Sequence, residues 1–440
     1  MAPMAKRFIN IACVVFFGIS FIIIYDTLEY LRVIPARLVS EIDKPSVLQD
    51  MEFSISTTVG TPDSQVYNSR ESLYEERRKV ILDGCKKVNK TTRPFGLENQ
   101  NLCIDKLHAI SYCPIPKVSS TFWKRILTVM ASQGKLHSPF EISLGGVRLS
   151  KINQLSKRDL KTLREKGTSF LFVRDPYARL FSGYENKIYH SNLMYWKIIG
   201  RKVVQVVRDN HDAVYNNYGF DVTFPEFIKY ILYLSESGLN INGHFSPMLN
   251  RCDPCSTHFQ YIGKLETFSD DAHYLISKWR NEFKDVELHF DDFEKETALD
   301  TARGHVNFLF STKKILSEIK FPFIKIMLRT WRDLQIRGHL SKHIAFPFNE
   351  ADVDTITKEE YMEAIKKALD IPVNRTEVKL QRAEALVQAY SQVPLEDMER
   401  LRMFVLQDCL LFGYDDRPTK LFDRSKQKSS DFVYLDGLSK

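Results

Sequence analysis

The sequence predicts an α/β fold, a central parallel sheet flanked by helices, and two strand-turn-helix segments carry that expectation. In the first, Leu107-His108-Ala109-Ile110-Ser111-Tyr112 reads as a buried strand, and Phe122, Ile126, Leu127 and Met130 recur at helical spacing after a turn. In the second, Ser169-Phe170-Leu171-Phe172-Val173 is the strand, Arg174 stands at its mouth, and Pro176 suits a first helical turn. A third observation is scale. With 440 residues, 44% of them hydrophobic, the chain can bury a full core. The roughly 340 residues left after an anchor and a stem suit one large domain.

Along the chain, residues 1–7 hold Lys6 and Arg7 and read as a cytoplasmic tail, and 8–25 are an almost unbroken apolar run ending before Asp26. That length and those flanks predict a transmembrane signal-anchor with the bulk of the chain on the lumenal side. Residues 26–72 lack a sustained period and read as a stem, with a helix starting near Glu71. The catalytic domain is expected over 73–424. Within it, Ile152, Leu155, Leu160 and Leu163 mark a surface helix, Phe224-Pro225-Glu226-Phe227 opens another, and 380–411 suggest long terminal helices with Leu386, Ala389, Met398, Leu401 and Val405 inside. Residues 425–440 are polar and read as a mobile tail.

A net charge of +7 suits a protein that handles anions. No zinc-finger spacing or aromatic RNA-binding signature accompanies it, so nucleic acid is not expected as a partner. The first turn, Cys113-Pro114-Ile115-Pro116-Lys117-Val118-Ser119-Ser120-Thr121, offers backbone N–H groups, a lysine and three hydroxyls at a helix N-terminus, the makings of an anion cradle. Such a turn taken alone is a helix cap. It also lacks the Walker A glycines, which disfavours an ordinary ATP or GTP loop. The ordered pair is more specific, because two anion sites suit a ligand phosphorylated at two places.

Together, Pro-Lys-Val-x-x-Thr-x-Trp-Lys-Arg from Pro116 and Phe-Val-Arg-Asp-Pro-x-x-Arg-Leu-x-Ser-x-Tyr from Phe172 resemble the cofactor motifs of the Golgi carbohydrate sulfotransferases, in the branch of the HNK-1, chondroitin 4-O and GalNAc 4-O enzymes. The resemblance extends to His244-Phe245, Cys252-Asp253-Pro254-Cys255, Tyr261-Ile262-Gly263-Lys264-Leu265-Glu266 and Phe412-Gly413-Tyr414, in the family's order. It implies a P-loop-like sulfotransferase fold, residence as a single-pass type II Golgi membrane protein, and 3′-phosphoadenosine 5′-phosphosulfate (PAPS) as donor without a metal. It further implies a glycan acceptor of the chondroitin, dermatan or terminal GalNAc kind. Pro116, Lys117, Val118, Ser119, Ser120, Thr121 and Phe122 would hold the 5′-phosphosulfate, and Arg174 and Ser182 the 3′-phosphate. Asp175, Pro176, Tyr177, Ala178, Arg179, Leu180 and Phe181 complete that second motif.

Lys117 is the expected catalytic cation, neutralising charge on the departing nucleotide. Arg179 and Lys187 also read as helix-surface cations or substrate contacts, and Trp123 as core. The base that takes the acceptor's proton has two candidates, His244 in the His-Phe block and His137, the one histidine between the two cofactor motifs. Glu266 and Asp271 read as structural ion-pair partners. Cys13 falls in the anchor, leaving Cys85, Cys103, Cys113, Cys252, Cys255 and Cys409 for an oxidising lumen. Disulfides are expected among them, with fifteen connectivities open. Asn89-Lys90-Thr91 and Asn374-Arg375-Thr376 are glycosylation sequons. Two other classes remain: a glycan-binding protein on an inactive scaffold, suggested by Gly145-Gly146 where the family favours a histidine, and a glycosyltransferase using Asp352-Val353-Asp354. Intact Lys117, Arg174 and Ser182 oppose the first. Thr357-x-x-Glu360, a capping box beside the aspartates, opposes the second.

Overall fold

The computed structural model describes residues 64–88, 101–142, 146–147, 149–209, 218–290, 292–426 and 432–438. The expected anchor at 8–25, most of the stem, Asn89 and Gly145 lie outside them. Among the described residues no helix is long and apolar enough to cross a membrane.

Five strands form one sheet in the order β3-β1-β2-β4-β5: β1 (Cys103–Asp105), β2 (Ile110–Cys113), β3 (Ser150–Lys151), β4 (Thr168–Val173) and β5 (Tyr261–Lys264). β2, β4 and β5 run parallel, while β1 is antiparallel to both β2 and β3. The sheet is therefore mixed, not parallel throughout. A tight turn can only join antiparallel neighbours, and the turn after β1 is tight because Asp105 Oδ1 accepts from the N–H of Leu107 (3.0 Å) and of His108 (3.4 Å). For the same reason the strand expected from Leu107 begins at Ile110.

The helices used below are α1 (Ser64–Lys87), α2 (Ser120–Met130), α3 (Lys157–Lys166), α4 (Pro176–Tyr184), α5 (Phe224–Glu236), α6 (Phe268–Glu282), α7 (Phe293–Glu318), α8 (Phe323–Ile336), α9 (Lys358–Leu369), α10 (Arg375–Ser391) and α11 (Leu395–Phe412). α1 starts before the expected Glu71 and so takes in residues assigned to the stem. On the sheet, Trp123 of α2 and Trp279 of α6 meet over Phe170, with centroid distances of 5.0 and 5.3 Å. Burial of each such ring stabilises by roughly 1.5–3 kcal/mol. Gly263 is required there, since a Cβ would fall 2.3 Å from the Phe172 ring. Gly84 does the same for α1, where a Cβ would meet the Leu410 carbonyl at 2.6 Å. α4, α5, α10 and α11 share a second apolar cluster, and α7, α8 and α9 a third. Leu386, Ala389, Met398, Leu401 and Val405 are buried as expected.

The tail departs from its expectation. Residues 432–438 dock on the helices: Tyr434 is fully buried, and its hydroxyl donates to Glu384 at 2.6 Å. Tyr189 donates to the Asp436 carbonyl, and Arg329 to that of Gly437. Phe432, Tyr434 and Leu435 supply enough apolar surface to hold a segment whose average composition is polar.

Two disulfides form, Cys85–Cys255 and Cys113–Cys252, while Cys103 and Cys409 are free and buried. The Cys252-x-x-Cys255 pair thus anchors two distant segments to one loop. Beneath α4 the chain widens into a turn at Glu185–Tyr189 and delivers His190 to the interior. There His190 stacks on His305 of α7 at 4.0 Å, and His305 Nδ1 lies 2.6 Å from Asp333 of α8. Arg337 bridges Asp333 (3.0 Å) and Glu185 (3.3 Å). Burial holds the pKa of His190, His305 and His339 below the usual histidine value, that of His339 at about 3.

Peptide mapping of the oxidised protein should recover Cys85–Cys255 and Cys113–Cys252 and no other bridge among the six. Replacing one pair by serines should cost about 2–5 kcal/mol of unfolding free energy. The second expectation concerns acid. Histidines kept neutral in the fold gain protons on unfolding, so their contribution is fully present above the unfolded pKa near 6.5 and falls as pH drops below it, by about 1.4 kcal/mol per pH unit for each histidine. His108 opposes this: burial lowers its pKa, but Asp105 and Asp285 outweigh that and raise it. Urea melts from pH 7 to 5 should show stability falling. His339→Gln should flatten the slope.

Candidate active site

The parallel strands β2, β4 and β5 end side by side, and the loops beyond their carboxyl ends build the site, the usual placement in an open α/β sheet. After β2, Lys117 and Ser119 both adopt left-handed backbone (φ 71° and 60°) without being glycine. Each such residue costs of order 1–3 kcal/mol and turns successive N–H groups toward a concavity. Ser119 is the N-cap of α2, yet its side chain makes no capping hydrogen bond, and its buried Oγ has no partner. The cap reading therefore fails at this position. The first turn of α2 retains donors for an anion.

The second motif meets the first directly. Arg174 is buried, and its guanidinium donates to the Lys117 carbonyl at 3.4 Å. Asp175 caps α4 by accepting from the Ala178 N–H at 2.7 Å, with Pro176 next to it. Arg174, Ala178 and Phe181 line a cleft of about 890 Å³ together with Arg337, His339 and Arg382. Val118, Phe122, Tyr177 and Leu180 point into the core, and Ser182 is fully buried. The four core side chains shape the site from behind.

Arg179 and Lys187 are not surface cations. Arg179 donates to the carbonyls of Pro116 (3.0 Å), Ser246 (2.6 Å) and Gly243 (3.1 Å), tying the cradle to the loop that carries His244. Lys187 lies over the Tyr195 ring at 4.6 Å, and burial lowers its pKa to about 8. His244 sits between Tyr195 and Asn242: its Nδ1 is 2.9 Å from Tyr195 Oη and 2.9 Å from Asn242 Oδ1. The tautomer in which Nδ1–H donates to Asn242 Oδ1 leaves the lone pair on Nε2, whereas Tyr195 Oη–H donating to Nδ1 puts the proton on Nε2. Burial, then the charges of Lys187, Lys117, Arg179 and Arg251, push its pKa down to about 2. His244 is thus a neutral imidazole close to Lys117. Phe245 packs against Phe227 at 4.9 Å.

His137 is elsewhere. It follows the C-terminal end of α2, whereas the cradle lies at the N-terminal end, and an 11-residue helix is about 16 Å long. Its partner is Glu287, at 3.4 Å. Glu266 and Asp271 are structural, as the sequence suggested. Glu266 accepts from the Asp175 N–H and the Tyr414 hydroxyl, both at 2.8 Å, and Asp271 pairs with Arg77 at 2.8 Å. Asp352 caps its own short turn by accepting from the Asn349 N–H at 2.7 Å, which leaves no strand-end Asp-x-Asp. Asp333, Arg337 and His339 were missed because they share no motif. Their one sequence signal was an Arg-Gly-His step after an amphipathic helix.

Residues 100–312 match the sulfotransferase family. Carbohydrate sulfotransferase 11 of Rattus norvegicus is 31% identical over 214 residues, 46% of this chain and 61% of the relative. Carbohydrate sulfotransferase 9 of Homo sapiens is 32% identical over 219 residues, 48% of each. Carbohydrate sulfotransferase 8 of Homo sapiens is 27% identical over 252 residues, 56% of this chain and 58% of the relative. The chain spans less than two thirds of the length of these curated relatives, and no solved structure matches it. Strand, cradle, Arg-Asp-Pro helix and disulfide-bearing loop all fall inside the matched residues, and over them the chain is similar to the sulfotransferase family.

Proposed function

We propose that the chain transfers a sulfuryl group from PAPS to a sugar hydroxyl of a glycan, at the lumenal face of the Golgi membrane. The observation that carries this reading is the open N-terminus of α2, where two strained left-handed residues, an unpartnered Ser119 hydroxyl and Lys117 converge. These groups fit a phosphosulfate, and Arg174 with Ser182 would take the 3′-phosphate at the other end.

In that reaction the acceptor oxygen bonds sulfur, the bond from sulfur to the 5′-phosphate oxygen breaks, and the hydroxyl proton goes to a base. Lys117 would neutralise the charge growing on the leaving phosphate, while the N–H groups of Val118 to Thr121 hold it in line. His244 Nε2 would accept the proton. A second reading of the base rests on the 2.6 Å contact between His305 and Asp333, which could orient an imidazole that also feels the charge of Lys117.

Incubating the purified protein with labelled PAPS and a panel of glycans should give label transfer to at least one acceptor. Donor binding without transfer to any would favour the glycan-binding class. Lys117→Ala should cut kcat by roughly 10²–10³-fold with a small change in donor affinity. Arg174→Ala should weaken adenosine 3′,5′-bisphosphate in calorimetry about tenfold or more, and adenosine 5′-phosphate far less. Equal losses would remove the two-phosphate assignment.

The base has its own test. His244→Asn should bind donor normally and lose about 10²–10⁴ in turnover, with His305→Asn near wild type. The reverse pattern would assign the role to His305. Because His244 stays neutral down to about pH 2 without donor, it should put no acid limb on kcat/KM between pH 5 and 7. Bound polyanion raises the pKa of a histidine held down by cations, so any limb due to His244 should lie at higher pH on kcat.

A further inference from the structure

The described residues hold two clusters with metal-ligand chemistry: His190, His305 and Asp333 inside, and His137, Glu287 and His289 at the surface. The buried trio is a poor cation site. Arg337 bonds Asp333 directly at 3.0 Å, and Arg337 with Lys187 and Lys117 surrounds the histidines with positive charge.

The surface trio has the opposite surroundings. Val286, Leu288 and Phe290 are buried while Glu287 and His289 are exposed, so the segment alternates and presents Glu287 and His289 on one face, as an extended chain does. The His289 N–H donates to the His137 carbonyl at 2.9 Å, which fixes this segment alongside the loop that follows α2. His137 Nδ1 is shielded from solvent without a hydrogen-bond partner, 3.4 Å from Glu287 Oε2. One ligand atom from each of the three lies within 4.8 Å of the others. In a tetrahedral zinc site, bonds of about 2.0–2.2 Å put neighbouring donors about 3.3 Å apart. The His137–Glu287 spacing already matches, and the exposed His289 ring can close the remainder by rotation.

We propose that His137, Glu287 and His289 form a binding site for a borderline divalent cation of the zinc type, with water as the fourth ligand. Two imidazoles and one carboxylate select such an ion over magnesium or calcium, which prefer all-oxygen shells. The site clips the loop after α2 to the segment between α6 and α7, at the end of α2 away from the cradle. It accounts for the one histidine between the cofactor motifs without giving it a part in proton transfer.

The test uses the full chain stripped with chelator. Titration with Zn²⁺ in calorimetry should show one site that His289→Ala weakens at least tenfold and Glu287→Gln weakens measurably. Co²⁺ should give the visible absorption of tetrahedral nitrogen and oxygen ligation, lost in His289→Ala. Zn²⁺ should raise the thermal midpoint of the wild type but not of that variant. Zn²⁺ binding of unchanged affinity in the His137→Ala, His289→Ala double variant would overturn the proposal. So would displacement of Zn²⁺ by equimolar Mg²⁺, or binding lost in His190→Asn and kept in the double variant. His289 is exposed, so its removal leaves folding intact.

Discussion

The Arg179 guanidinium holds the site together. Its three hydrogen bonds reach the carbonyls of Pro116, Gly243 and Ser246, so one side chain on α4 fixes both the cradle and the His244 loop. Burial lowers its pKa to about 10, which still leaves it charged at neutral pH. Charged donors to buried carbonyls form the stronger class of hydrogen bond, and loss of this one would strand three acceptors at once. Asp408 grips the same loop from the other side, accepting from the N–H of Met248 (2.7 Å) and Leu249 (3.0 Å). The Cys113–Cys252 bridge then ties the loop covalently to the end of β2.

Glu266 plays the matching part at the far strand. Its two carboxylate oxygens accept from the Asp175 N–H and the Tyr414 hydroxyl, joining the strand β5 block, the Arg-Asp-Pro block and the Phe-Gly-Tyr block. Motifs lying 91 and 148 positions away in sequence thus converge on one carboxylate. Tyr414 also receives Lys264 over its ring at 4.2 Å. These scattered blocks of the chain are therefore parts of one scaffold, and Glu266 supports the geometry of Arg174 without needing to touch a ligand.

The strands, α2, α4 and the terminal helices were legible because local pattern and burial agree there, as in Ser169–Val173 or the Leu386 to Val405 stripe. The cradle was legible through its motif, although the failure of Ser119 to cap α2 shows only in three dimensions. Other features were hidden because they depend on distant partners. Arg179 looks like any helix cation until three carbonyls from two loops surround it. His137 and His244 are equivalent as letters, and only the direction of α2 separates them. The mixed sheet turns on one side chain, Asp105, closing a turn inside what reads as a continuous apolar strand. The docked tail depends on Tyr434 finding Glu384, a pairing that no short window contains.

Electrostatics gives the site its remaining logic. Lys117, Arg179, Lys187 and Arg251 crowd around His244, and their shared field, with burial, keeps that imidazole neutral. A site built from several cations and a neutral base is poorly balanced when empty and well balanced around a multiply charged anion. An anion bound there would offset the repulsion among the cations and raise the proton affinity of the imidazole. Arg337 extends the positive wall beyond residue 312, where the family match ends, and shares Asp333 and Glu185 as counter-charges. The turn after α8 and the helix α10 therefore line the cleft from outside the matched residues.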